Sequence, residues 1–295
     1  MNNRMNGVIV SLVTPFQNDE IREDFLLENL KKLNETPISG YLALGGNGES
    51  QSMTHAEQSR ILSLIAEQKG EKIVLASVAS DSTKVLLEKS KWAADLGADG
   101  IRVPCPHYNP KHVSRDVIIR FFLDIAEKTP IPILLYNAPA LSGISIAPST
   151  LELLADNPNI LGIKDSSLTS LYGYLNIKRK SPDFKIFAGS ASFFLPALMA
   201  GAAGGDMSLA NYLPEACTDL FNYFKTGNIK KAQDLHGRLL AVNTGVSSKW
   251  GFPGVKAAMS LLGYYGGEAR TPYTLPDKTG IENIKQILTG EGFLT

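Results

Sequence analysis

Short runs of apolar, β-favouring residues alternate along the chain with longer stretches in which apolar and charged residues recur at helical spacing. This alternation is the mark of βα units around a parallel sheet. The apolar runs predict strands at 7–14, 40–45, 73–79, 100–104, 131–136, 160–164, 185–188 and 204–209. Between them, stretches such as 55–68, 82–96, 115–128 and 148–156 have the mixed pattern of amphipathic helices, each able to cover one outer face of a sheet. Eight such units close into an α/β fold of the (β/α)8 TIM-barrel type. A doubly wound open sheet usually has fewer strands and a phosphate-binding fingerprint after the first, and none follows Thr14.

From about Pro214 onward, helical stretches at 216–225, 230–244 and 255–262 read as the eighth barrel helix followed by further helices. No Pro/Ser-rich or highly charged linker and no low-complexity tract sets them apart. The expected organisation is therefore a barrel over residues 1–225 and a C-terminal helical extension, 226–295, packed on it.

Charge and composition narrow the partners. Lys plus Arg and Asp plus Glu each number 29, so nothing steers the chain toward nucleic acid or an anionic membrane. No apolar run approaches the roughly 20 residues of a membrane span, and Met1 to Gly7 lacks the regions of a signal peptide. Cys105 and Cys217 form no CxxC pair, so neither a disulfide framework nor a zinc knuckle is indicated and a reducing cytoplasm is the simplest home. His55, His107, His112 and His236 show no zinc spacing, the carboxylates form no hard-metal cluster, and there is no GxSxG elbow. No metal and no cofactor are expected.

In a barrel, candidate chemistry belongs at the C-terminal ends of the strands. The sixth run ends Gly162-Ile163-Lys164-Asp165-Ser166. A lysine there risks desolvation of its ammonium, which favours the nucleophilic free amine; alternatively it snorkels to the rim or pairs with Asp165. Tyr136 ends the fifth run, either as a core aromatic or as a proton shuttle near Lys164. Gly45-Gly46-Asn47-Gly48-Glu49-Ser50 after the second run is either a turn or a backbone cradle for an anion. Asp206 interrupts an apolar run as a buried carboxylate that faces the mouth or makes a structural bond.

Taken together, these residues resemble the dihydrodipicolinate synthase/N-acetylneuraminate lyase superfamily of pyruvate-dependent class I aldolases. The resemblance runs from Val13-Thr14-Pro15-Phe16 to Gly263-Tyr264-Tyr265-Gly266-Gly267. It implies Lys164 of the Gly-Ile-Lys motif as the Schiff-base residue and Tyr136 of Leu-Tyr-Asn-x-Pro as the proton shuttle. Gly46 and Asn47 would hold the pyruvyl carboxylate, with Ser166 beside the lysine as a further substrate contact. Tyr108, in the loop after the fourth strand, matches an aromatic that reaches a neighbouring subunit's site. The implied partners are pyruvate and a small aldehyde or 2-oxo acid, in a homotetramer or homodimer.

The departures bear on substrate. Dihydrodipicolinate synthases usually carry Thr-Thr in the glycine loop and an arginine a few residues after Tyr-Asn; this chain has Gly46-Asn47 and Leu141. The stretches 159–166, 188–191 and 204–211, with Trp250-Gly251-Phe252-Pro253-Gly254, are more similar to 4-hydroxy-2-oxoglutarate aldolases and 2-keto-3-deoxy sugar acid aldolases, a group from which Asp206 nevertheless departs. The expected reaction is cleavage or formation of a 4-hydroxy-2-oxo acid. The alternatives are 4-hydroxy-tetrahydrodipicolinate synthesis, a non-catalytic barrel that binds a 2-oxo acid, and a phosphate-binding barrel.

Overall fold

Each apolar run becomes a strand because its residues are covered on both faces, by the barrel interior on one side and by a layer of helices on the other. The computed structural model describes residues 5–167 and 171–295. Its strands are β1 (Gly7–Ser11), β2 (Gly40–Ala43), β3 (Ile73–Ser77), β4 (Gly100–Pro104), β5 (Ile133–Asn137), β6 (Ile160–Asp165), β7 (Lys185–Ala188) and β8 (Gly204–Met207). All pair in parallel with their sequence neighbours, and β1 pairs with both β2 and β8, closing the barrel. A small hairpin, Phe16–Gln17 with Glu20–Ile21, lies outside it.

The helices are α1 (Glu23–Asn34), α2 (His55–Gln68), α3 (Thr83–Asp95), α4 (Arg115–Lys128), α5 (Pro148–Leu154), α6 (Leu171–Lys180), α7 (Phe194–Met199), α8 (Pro214–Lys225), α9 (Ile229–Asn243), α10 (Lys249–Leu261) and α11 (Lys278–Gly290). Helices α1, α6, α7 and α11 lie outside the stretches named from the hydrophobic pattern, although α1 and α11 each bury one face. Side-chain caps mark several starts: Thr54 and Glu57 form a reciprocal capping box at α2, and Ser82, Ser114 and Asp277 cap α3, α4 and α11.

Two strand ends differ from the pattern, for identifiable reasons. The first strand stops at Ser11, although the apolar run continues to Thr14, because the Val13 amide donates to the Asn211 side chain at 3.1 Å and leaves the ladder. The fifth begins at Ile133 and not at 131, since Pro132 has no N–H to pair.

Period-two alternation sorts the strand residues into two layers. Outward residues such as Val8, Val10, Tyr41, Val74, Val103 and Ile186 pack with Leu62, Ile65, Phe122 and Ile125 of the helices. The inward ones near the N-terminal ends, Ile9, Leu42, Ile73, Leu75, Leu134, Leu161 and Phe187, join Met5 in a separate apolar plug. Two residues further along several of the same strands the row turns polar: Ile9 is followed by Ser11, Leu75 by Ser77 and Leu134 by Tyr136. The plug thus becomes the floor of a polar chamber. The interior is tight enough that a Cβ on Gly204 would lie 1.8 Å from the Gly7 carbonyl oxygen.

At the C-terminal end, a π-turn at Thr244–Ser248 joins α9 to α10. The helical pattern begins at 255, but the observed helix begins at Lys249 and kinks at Gly251, whose φ of 63° favours glycine. Pro253 removes a helical donor at the same place.

Candidate active site

Lys164 and Tyr136 are register partners on adjacent strands, and Asp206 lies two strands away on β8. Alternation turns Lys164 into the chamber and Asp165 out of it. Lys164 is only 5% exposed. Its Nζ lies 3.1 Å from Asp206 Oδ2, and it donates to the Ser11 hydroxyl at 3.4 Å. Asp165, the other possible partner, instead accepts from Asn137 Nδ2 at 2.8 Å and from the Ser167 amide at 2.9 Å. Burial, which outweighs these bonds, raises the Asp165 pKa.

Asp206 is fully buried, and apart from Lys164 neither carboxylate oxygen has a hydrogen-bond partner among the described residues. The carboxylate is thus the lysine's buried ion-pair partner, which the sequence alone did not show. It is therefore the counter-charge for whichever cation Nζ carries, ammonium or iminium.

Two cations lie close to the Tyr136 ring. Its ring centroid is 5.4 Å from Lys164 Nζ and 4.0 Å from Arg102 Cζ. Burial alone would raise its phenol pKa, but Lys164, Arg102 and the Ser166 hydrogen bond together outweigh burial and hold it below the ordinary value. Ser166 itself is seated by its amide, which donates to Asn137 O at 2.9 Å, and by Gly189, where any Cβ would come within 2.2 Å of the serine hydroxyl.

On the glycine loop after β2, the amides of Gly48 and Glu49 close turns onto Gly45 and Gly46. Those of Gly46 and Asn47 have no acceptor among the described residues. The Asn47 side chain donates to Ser11 O at 3.3 Å, which places the loop beside the lysine's own neighbour. Glu49 fixes the loop from below. It adopts a left-handed φ of 55° and forms a buried ion pair with Lys256 of α10, whose Nζ also donates to Thr14 O at 2.8 Å.

The structure thus brings Lys164, Tyr136, Asp206 and Ser166 together, with Gly46 and Asn47 close by. Tyr108 stands apart: it is 84% exposed, and its amide donates to Asp81, while His107 next to it lines the mouth. Sequence reasoning missed Arg102, Ser11 and the Glu49–Lys256 pair. Arg102 carried the same signal as Asp206, a charge within an apolar strand.

A closed (β/α)8 barrel with a buried lysine, a tyrosine and backbone amides that have no acceptor among the described residues, all at the C-terminal ends of its strands, has the form of a carbon–carbon lyase. The family model of the dihydrodipicolinate synthetase family matches residues 4–290. A 4-hydroxy-tetrahydrodipicolinate synthase of Methanopyrus kandleri is 32% identical over 98% of this chain and 95% of its own. A DapA-like lyase of Pyrococcus horikoshii is 34% identical over 97% and 100%. The solved dihydrodipicolinate synthase of Thermotoga maritima superposes with a TM-score of 0.92 at 26% identity, over 98% and 99% of the two chains. The chain belongs to the dihydrodipicolinate synthetase family. Several relatives bear the name 4-hydroxy-tetrahydrodipicolinate synthase.

Proposed function

We propose that this chain joins pyruvate to an aldehyde through an imine on Lys164, with the 4-hydroxy-tetrahydrodipicolinate synthase reaction as the leading assignment. The observation that carries this reading is the buried Lys164 Nζ beside Asp206, with Tyr136 alongside. The neutral amine attacks the pyruvate C2 carbonyl, and loss of water gives a protonated imine that serves as an electron sink. Tyr136 accepts a C3 proton to yield the enamine, which attacks the aldehyde carbon. Tyr136 delivers that proton to the new alkoxide, and Lys164 leaves when water attacks the imine carbon or, with a 2-amino-4-oxo acid, when that acid's amine attacks it and closes the ring. The amides of Gly46 and Asn47 hold the pyruvyl carboxylate and orient the carbonyl. The product ring named for the relatives divides chemically into pyruvate and a four-carbon 2-amino-4-oxo acid, which is the aldehyde to test first.

The second reading runs the same site backward, cleaving a 4-hydroxy-2-oxo acid. The specific observation in its favour is Leu141, an uncharged residue at the mouth. In either direction no metal and no cofactor take part. Tyr108, exposed on its loop, is suited to complete the site of a second copy in a homodimer or homotetramer.

Borohydride reduction in the presence of pyruvate tests the chemistry, with the mass of one reduced pyruvyl adduct per chain expected on the peptide that contains Lys164. An adduct on another lysine, or none, overturns the mechanism. Turnover of pyruvate with 2-amino-4-oxobutanoate, set against pyruvate release from 4-hydroxy-2-oxoglutarate, decides between the two readings.

A further inference from the structure

Imine formation moves two protons from the lysine nitrogen to the oxygen that departs as water, and each needs a carrier. Lys164 Nζ lies over the Tyr136 ring, 5.4 Å from its centroid, and the Tyr136 hydroxyl is engaged by Ser166. Asp206 makes the closer polar contact: its Oδ2 is 3.1 Å from Nζ and has no other partner among the described residues. Its Oδ1 is buried with no donor at all among them.

The pair is shut off from below. The register partner of Asp206 on β1 is Ile9 and that of Lys164 on β7 is Phe187, both members of the apolar plug. A proton leaving Nζ finds, among the described residues, the Asp206 carboxylate and the Ser11 hydroxyl 3.4 Å away. Its transfer to the carboxylate turns two buried charges into two neutral groups, an exchange that a site out of contact with water tolerates better than solution does.

We propose that Asp206 is the acid–base catalyst of imine formation, carrying both protons from Lys164 Nζ to the carbonyl oxygen of pyruvate. The proposal rests on the imine at Lys164. One proton passes from the ammonium to Asp206, and the lone pair it leaves attacks C2. The carbonyl π pair moves to oxygen, which takes that proton and becomes a hydroxyl. Asp206 then accepts a second proton from the nitrogen and gives it to the hydroxyl. The C–O bond breaks, water departs, and the nitrogen lone pair closes the C=N bond. Two of the three ammonium hydrogens leave in the water, and Asp206 is ionised again as the iminium forms. In the carbinolamine one carbon separates nitrogen from oxygen, as one carbon separates the two carboxylate oxygens. The open Oδ1 can therefore serve the oxygen while Oδ2 serves the nitrogen.

The test follows imine formation and its reversal separately. Borohydride quenching at increasing times after mixing with pyruvate gives the rate of adduct formation by intact mass. Chasing enzyme loaded with carbon-13 pyruvate by unlabelled pyruvate gives the rate of hydrolysis. Lys164 carries one positive charge before and after, so the pull of the carboxylate on it cancels from the equilibrium, whereas a proton carrier speeds both directions. Asp206→Asn should therefore slow formation and exchange alike, each by about a hundredfold, and still reach one adduct per chain at pyruvate concentrations that saturate wild type. In Asp206→Ala, which leaves room for a small acid, formate should restore part of the rate and chloride at equal ionic strength none. Wild type needs no outside carrier, so more buffer at fixed pH and ionic strength should leave its rate unchanged. An Asp206→Asn protein that forms the adduct at the wild-type rate overturns the proposal. So does one that needs more pyruvate for half-maximal trapping while exchange stays fast, which would leave Asp206 a counter-charge only. Rescue by chloride as well as formate has the same meaning. A wild-type rate that climbs with buffer overturns the proposal whether or not the variants fold. Failure of wild type to trap pyruvate at all would instead remove the imine reading beneath it.

Discussion

Asp206 and Lys164 meet in a chamber that shuts out water, and a pair of this kind is sensitive to the loss of either charge. Asp206→Asn keeps the shape of the side chain but leaves the protonated imine without a buried counter-charge. It should slow pyruvate adduct formation by about tenfold to a hundredfold, the range for a lost hydrogen bond between charged groups. Time-resolved borohydride trapping measures this directly. A variant that melts earlier yet traps pyruvate at the wild-type rate would show that the carboxylate is structural only. Tyr136 is exposed to the same field: its lowered phenol pKa depends in part on Lys164 and Arg102, so the two cations adjust the residue proposed to move the proton.

Among the elements, the glycine loop depends on a helix from the far end of the chain. Lys256 of α10 is completely buried, and desolvation lowers its pKa, with Glu49 opposing. The amide of Arg270 donates to the other Glu49 oxygen at 2.9 Å, and the Arg270 side chain reaches Glu57 in the capping box of α2 at 2.8 Å. Removing one member strands the other, so Glu49→Gln should destabilise the fold by about 3–5 kcal/mol in urea unfolding. The double variant Glu49→Gln, Lys256→Met should recover much of that loss. If the two single variants and the double one are equally unstable, the pair is not what holds the loop.

For the molecule as a whole, we propose that residues 226–295 fold with the barrel as one unit, because Lys256 and Arg270 support the site from there. One half-buried group in that region gives the fold a pH dependence. Burial lowers the pKa of His236 on α9 below its ordinary 6.5, so in acid the unfolded chain takes up a proton that the folded one resists. Stability from the neutral imidazole is present above pH 6.5 and is lost as the pH falls through the lowered folded value. Wild type should therefore lose more thermal stability than His236→Gln between pH 7.5 and pH 5. Parallel losses in the two proteins would mean that the acid sensitivity lies elsewhere.

The alternation of apolar runs with amphipathic stretches was enough to define eight strands and the closed barrel, since burial on both faces leaves a strand few other compositions. Lys164 and Tyr136 were legible for a related reason: each ends such a run, where a barrel opens to solvent. The sequence could also mark Asp206 as out of place, and by the same reasoning Arg102. It could not say what either charge faces. Asp206 finds Lys164 across an intervening strand, Arg102 finds Tyr136 but no carboxylate among the described residues, and Glu49 finds Lys256 on a helix more than 200 residues away in sequence. Local spacing fixes which face of a strand a side chain takes, but ion pairs between distant segments form only when barrel closure and helix packing set their separation. That is why the partners of these buried charges were decided by the tertiary structure alone.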